Sequence, residues 1–262
     1  MDLYLREKVV LVTAASRGLG YATARLLAQE GAFLALCARQ EGLLIEAAER
    51  LERETGTQVL PITADVADPD AAPRLAAMTV EHFGRIDALL VNAGGPPPGK
   101  FADFQVKDWE AAIDLTITSA VRLIHAVVPI MRKQGGGSIL ANTAVSVRHP
   151  LDGLILSNSL RPAVIGLVKS LSIELGRDGI RVNAIAPGWT RTERVDQLLR
   201  DLAARSGTTQ EEEEAKIVAA VPLGRMATPE EYARAAAFLL SPAASYITGV
   251  TLLVDGGLSR AV

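Results

Sequence analysis

The chain has 262 residues, 49% of them apolar and 22% charged, enough to bury a substantial core as one globular unit. A net charge of −3 offers no basic face for nucleic acid or an acidic membrane surface, so neither is expected as a partner. The single cysteine, Cys37, excludes an internal disulfide; within the apolar run AFLALCAR it reads as a small core residue of a cytoplasmic protein.

The opening residues scatter charges ahead of a short apolar run and lack the layout of a secretory signal. No apolar stretch is expected to reach the roughly 20 residues of a membrane helix. KVVLVT (8–13) reads as the first strand, followed by the helical pattern GLGYATARLLAQEG (18–31), for which Gly31 is a stop. AFLALCAR (32–39) is the second strand and EGLLIEAAERLERETG (41–56) the next helix. QVLPITADV (58–66) precedes a helix over about 70–83, and IDALLVNAGG (86–95) is the fourth strand. A long helix is predicted over 108–133, with Pro129 kinking or tightening its last turn. GSILANTA (137–144), a helix over 154–176, IRVNAIAPG (180–188) and YITGVTLLVDGG (246–257) complete the series.

Nearly continuous apolar strands separated by helices predict an α/β fold. The expected architecture is a Rossmann-type, doubly wound parallel sheet of about seven strands with helices on both faces, forming a single dinucleotide-binding domain over 1–262. Segment 191–220, which contains the polar run SGTTQEEEEAK, breaks the rhythm. It is expected to be a lid-like helical excursion with a mobile turn.

Between the first strand and first helix stands VTAASRGLGYA (12–22). Gly18 and Gly20 let the backbone approach a pyrophosphate at the helix N-terminus, where free N–H groups and the dipole favour an anion. About 20 residues further on, an NAD site places an acid on the ribose hydroxyls. Here the second strand ends in Ala38 and Arg39, and Arg17 lies inside the glycine turn. Two arginines where a 2′-phosphate would sit favour NADP(H) over NAD(H), the alternative for each being an exposed strand-end charge. No metal site is read from the sequence.

With these motifs in order, the chain resembles the short-chain dehydrogenase/reductases from end to end, particularly their 3-oxoacyl-acyl carrier protein reductase branch. TAASRGLG is similar to the family's TGxxxGxG, with Ala14 where the first glycine usually stands. The resemblance implies cofactor contacts from Thr13, Ser16, Arg17, Gly18, Leu19 and Gly20, and from Arg39. It implies an adenine contact by Asp65 and Val66 of ADV, a fourth-strand motif in Asn92, Ala93 and Gly94, and a nicotinamide-side turn containing Pro187, Gly188, Thr190 and Thr192. It also implies a homotetramer or homodimer, paired through the helices at 108–133 and 154–176 and through the C-terminal segment.

The family's catalytic asparagine, serine, tyrosine and lysine map onto Thr116, Ala144, Ser157 and Arg161, so all four places are substituted. A serine hydroxyl is far too weak an acid to replace a lysine-tuned phenol near neutral pH. Arginine keeps a positive charge for ribose hydroxyls but does not release protons. His149, in the loop bordering the expected cleft, is a candidate acid, or else a surface loop histidine. Arg148, His149, Arg161, Arg191 and Arg194 map around that cleft and suggest a small anionic ligand, with solvated rim charges as the alternative. Three functions stay open: an NADP(H)-dependent oxidoreductase with altered catalytic groups, a catalytically silent NADP(H)-binding protein, and different chemistry on an anionic substrate.

Overall fold

The computed structural model describes residues 2–260. The chain runs β1 (Val9–Thr13), α1 (Gly18–Gln29), β2 (Phe33–Ala38), α2 (Glu41–Thr55), β3 (Val59–Thr63), α3 (Ala71–Phe83) and β4 (Ala88–Val91). It continues with α4 (Val106–Ile113), α5 (Ser119–Lys133), β5 (Gly137–Asn142), α6 (Ile155–Glu174) and β6 (Ile180–Pro187). The last elements are α7 (Glu193–Ser206), α8 (Gln210–Ala220), α9 (Pro229–Leu240) and β7 (Thr251–Val254). The seven strands form one parallel sheet in the order β3-β2-β1-β4-β5-β6-β7, as the apolar runs predicted.

Both faces of the sheet are covered, which explains why its strands read as continuous apolar runs. Val10, Val12, Leu34, Leu36 and Leu140 share a core with Leu27 of α1 and Tyr232 of α9. Their neighbours Leu11, Ala35, Cys37 and Ile139 point the other way, into a core shared with Leu75 of α3, Leu123 of α5 and Val164 of α6. Cys37 is thus a core residue, and burial pushes its thiol up to about 12.

The order places β1 between β2 and β4, where the chain reverses its winding. In open α/β sheets the crevice beyond the strands' C-terminal ends at such a reversal is the general ligand position.

Several expected boundaries move. The fourth strand stops at Val91 and the last spans only Thr251–Val254, because the glycine- and proline-rich flanks do not join the ladder. The helix expected over 108–133 is continuous from Val106, but a single π turn at Asp114–Thr118 interrupts it, and Pro129 lies inside α5. Contrary to the sequence expectation, the segment Val106–Lys133 is long and apolar enough to cross a membrane by length and composition alone. Its apolar stripe, including Leu123, Val127 and Met131, is instead buried in the core.

Most of SGTTQEEEEAK is helix rather than turn. Thr209 caps α8 by accepting from Glu212 N (3.2 Å), while Glu212 Oε2 accepts from Thr209 N (3.0 Å). The acidic run therefore occupies a helix N-terminus, where the dipole favours it.

Candidate cofactor and active site

The end of β1 is tied to the end of β4 by Thr13. Its buried Oγ1 donates to Asn92 O (2.6 Å) and accepts from Asn92 N (2.9 Å). The Asn92 side chain donates to Ala14 O (3.4 Å) and accepts from Asn142 Nδ2 (2.8 Å), so one amide ladder crosses the ends of β1, β4 and β5.

Above it the glycine turn is tightly wound. Gly18 takes φ +59°, and a Cβ on Gly20 would collide with Ala14 O. Ala14 itself takes φ +49°, the left-handed conformation for which the family's glycine is suited. A side chain on Gly188 would meet the Asp255 backbone at 2.8 Å, and Pro187 remains in the ladder opposite Val254. Thr190 Oγ1 is buried without a partner among the described residues. An unpaired buried hydroxyl beside a crevice is costly unless a ligand satisfies it.

The residues expected at the cofactor do gather along this crevice, but their charges are engaged. Arg17 Nη1 is ion-paired with Glu193 Oε2 at 2.9 Å, and Arg39 Nη1 lies 3.6 Å from Asp65 Oδ2. Each arginine leans on its nearest carboxylate. All four side chains are exposed, so these pairs are weak and exchangeable. Asp65 Oδ1 also accepts from Ala67 N (3.0 Å), while Val66 is buried. Ser16 and Leu19 are half-buried, and Leu19 packs against the α1–α9 core. Ala93 is half-buried and Gly94 exposed where the chain leaves β4. Thr192 caps α7, and its Cγ2 is 3.8 Å from where a Gly18 Cβ would stand, so the excursion begins against the glycine turn.

The four substituted places lie beside this crevice. Thr116 is half-buried in the π turn, and Ala144 is half-buried just beyond β5. Ser157 stands in the first turn of α6, whose start is fixed by Asn158: its Nδ2 donates to Leu151 O (2.8 Å) and its Oδ1 accepts from Leu151 N (3.2 Å). Arg161, one turn on, donates from Nε to Ser157 Oγ (3.1 Å) and from Nη1 to Asn142 O (3.2 Å). Its Nη2 has no acceptor among the described residues and lies 3.7 Å from where a Gly95 Cβ would stand. Burial pulls the guanidinium down to about 10, Tyr232 opposing and the neighbouring Arg194 charge adding to the effect. Arg161 therefore remains a cation at neutral pH.

One group was missed in the sequence. Ser146, buried in the short 3-10 turn Val145–Val147, places its Oγ 3.3 Å from Ser157 Oγ. It lies two residues beyond Ala144. Arg194 reaches from α7 to donate to Pro96 O at 2.7 Å. His149, in contrast, has no hydrogen bond or ion pair linking its ring to Ser157 or Arg161. Arg148 is exposed, and Arg191 is ion-paired with Glu214 and lines a surface groove with Arg225 and Glu231. The five-residue basic cluster is thus reduced to Arg161 and Arg194.

Residues 13–259 match the family model described as enoyl-(acyl carrier protein) reductase. The chain is 35% identical to dehydrogenase/reductase SDR family member 4 of Oryctolagus cuniculus over 254 residues, covering 97% of this chain and 94% of that protein. Among solved structures it is similar to L-sorbose reductase from Gluconobacter frateurii complexed with NADPH and L-sorbose (TM-score 0.95, 33% identity, 100% of both chains). It is also similar to an F189W actinorhodin polyketide ketoreductase with NADPH (TM-score 0.92, 32% identity, 97% of this chain and 98% of that one). The chain belongs to the short-chain dehydrogenase/reductase family of oxidoreductases.

Proposed function

We propose that the protein is an NADP(H)-dependent oxidoreductase acting on a carbonyl or alcohol through an atypical set of polar groups. The crevice fits the cofactor on three counts: a glycine turn that excludes side chains at Gly20, a helix N-terminus beside it, and the unpaired buried Thr190 hydroxyl. Thr13, Asn92 and Gly94 frame the cradle, Gly18 and Gly20 admit the phosphates, and Arg17 and Arg39 supply cations for a 2′-phosphate. The structural neighbours named above that hold NADPH support this assignment. NADPH, when bound, supplies the hydride.

One observation carries the catalytic assignment: Arg161 binds Ser157 Oγ and Asn142 O while leaving Nη2 free toward Gly95. Ser157 Oγ accepts from Arg161, so its own hydrogen remains available to Ser146 or to a ligand oxygen. The Arg161 charge would stabilise an oxyanion developing at that ligand oxygen. Proton delivery by a phenol is lost, which costs about 10²–10⁴ in rate. Turnover should therefore be slow, and Arg161→Ala should abolish what remains.

The competing reading, a silent NADP(H)-binding protein, draws on the same substitutions. Direct NADPH and NADH titration, with a carbonyl and alcohol screen, tests both. Failure to bind either cofactor removes both readings, and binding without any Arg161-dependent turnover leaves the silent one.

A further inference from the structure

We infer that Tyr232 is a positioning residue beneath the cofactor site: through one enclosed water its phenol serves Asn142 Oδ1 and so fixes that amide. The consequence for cofactor binding rests on the NADP(H) reading above, whereas the pairing of the two groups does not.

The first ground is a chain of amides with an open end. Asn92 Nδ2 donates to Ala14 O of the glycine turn (3.4 Å), which leaves Asn92 Oδ1 to accept from Asn142 Nδ2 (2.8 Å). Asn142 therefore turns its Oδ1 away from Asn92, and that oxygen is buried without a partner among the described residues. The same residue accepts from Arg161 Nη1 at its backbone oxygen (3.2 Å). Asn142 thus joins the glycine turn to Arg161, yet one end of its amide is unsatisfied. A flipped amide would set two oxygens against each other, so a donor at the open end reinforces the observed orientation.

The second ground is a donor without an acceptor. Tyr232 is buried, and its hydroxyl has no partner among the described residues. Burial pushes the phenol up, the Arg161 charge opposing, so Tyr232 stays protonated and can only act as a neutral donor or acceptor near neutral pH. An unpaired buried hydroxyl and an unpaired buried amide oxygen each cost free energy. One water that accepts from the phenol and donates to the amide satisfies both.

The third ground is placement. Leu140 and Tyr232 belong to one core, and Asn142 follows Leu140 by two residues in β5, so its side chain leaves the sheet on that same face. Asn142 is the last residue of β5, and Tyr232 stands in the first turn of α9. That turn starts at the same end of the sheet, because Ala227 pairs with Thr190 just beyond β6. Arg161, bonded to Asn142 O, is also the charge whose field reaches Tyr232. The Tyr21 hydroxyl, likewise unpaired, answers instead to the charges of Arg25, Arg50 and Glu54 on α1 and α2.

The test is a double-mutant cycle of Tyr232→Phe and Asn142→Leu, read as Tm without cofactor and as calorimetric affinity for NADPH and NADH. Tyr232→Phe alone should lower the Tm by about 2–4 °C, the worth of one hydrogen bond in a chain of this size. In the Asn142→Leu background the same change should no longer lower it, because the acceptor is already gone. Tyr232→Phe should weaken NADPH and NADH alike, about five-fold, because the glycine turn serves the pyrophosphate that both carry. A Tm that rises in Tyr232→Phe, or falls equally in both backgrounds, would overturn the pairing. A lower Tm with unchanged cofactor affinity would leave Tyr232 merely structural and overturn its positioning role. A crystal structure of the wild-type protein is independent of how the variants fold, and should show one water bonded to both groups. A phenol bonded elsewhere, or no water between the two, would overturn the proposal. A wild-type protein that binds neither cofactor would remove the cofactor reading and the positioning role with it, while the Tm cycle and the water still decide the pairing.

Discussion

Arg17 of the glycine turn and Glu193 of the first turn of α7 are ion-paired at 2.9 Å across the mouth of the crevice, though 176 residues separate them. Under the proposed cofactor assignment, Arg17 has two competing uses, pairing with Glu193 of the excursion and binding a 2′-phosphate. Glu193→Gln should release it and tighten NADPH binding, by at most about five-fold because the pair is exposed. NADH, which lacks the phosphate, should be unaffected. Calorimetric titration checks this, and weaker NADPH binding in Glu193→Gln would show that the pair helps form the cofactor site.

Arg39 is the freer of the two cations, 72% exposed and 3.6 Å from Asp65. Arg39→Asp places a carboxylate beside the expected 2′-phosphate and supplies the acid that a dinucleotide site uses for ribose hydroxyls. NADPH affinity should fall about ten-fold or more while NADH affinity rises. Wild-type protein that binds NADH as tightly as NADPH would refute the cofactor preference itself.

Ala14 carries a conformation that costs a side-chain-bearing residue about 1–2 kcal/mol. Ala14→Gly should relieve that strain, partly offset by the greater freedom of glycine in the unfolded chain. A net gain of up to about 1 kcal/mol corresponds to a Tm higher by about 2–4 °C in a chain of this size. A lower Tm would mean that the Ala14 methyl contributes packing that outweighs its backbone strain.

A homotetramer or homodimer is proposed from the family. Ile113 and Val121 are 38% and 43% exposed on the α4–α5 segment, whereas Ile124 is in the core. Charging this face with Val121→Glu should shift light scattering toward monomer at micromolar concentration. A wild-type monomer, or an unchanged oligomer in the variant, would remove this helix from the interface.

What could be read from sequence follows from what is local. Buried parallel strands such as VVLVT and FLALCA are apolar throughout, so the sheet was legible, as was the glycine turn with its φ-demanding positions. The π turn was not, because an extra residue in one helical turn leaves the apolar stripe almost unchanged. Ser146 was hidden because its approach to Ser157 depends on one 3-10 turn. The partners of Arg17 and Arg194 were hidden because they join distant segments through side chains, for which composition and periodicity carry no signal.

The pair Ser157 and Arg161 sets the last expectation. Ser157→Tyr alone should not restore fast carbonyl reduction, because Arg161 Nε stands 3.1 Å from Ser157 Oγ and a phenol ring would have to displace the guanidinium from Ser157 and Asn142. That displacement would leave a partly buried cation without its acceptors, which costs more than the hydrogen bonds it breaks. Replacing Arg161 by Lys in the same protein shortens the side chain and removes the planar fork. Adding Ala144→Ser and Thr116→Asn restores the remaining donors that the family resemblance implies. The fourfold variant should reduce a 3-oxoacyl or aldehyde substrate with NADPH by at least about 10² over the wild type, while the single Ser157→Tyr change stays near background. Groups that act as a unit are strongly non-additive, so the single gains should sum to far less than the combined one. Steady-state rates of the single and fourfold variants on one substrate decide the matter. Fast turnover by the wild type, unchanged in Arg161→Ala, would place the chemistry on residues other than these four.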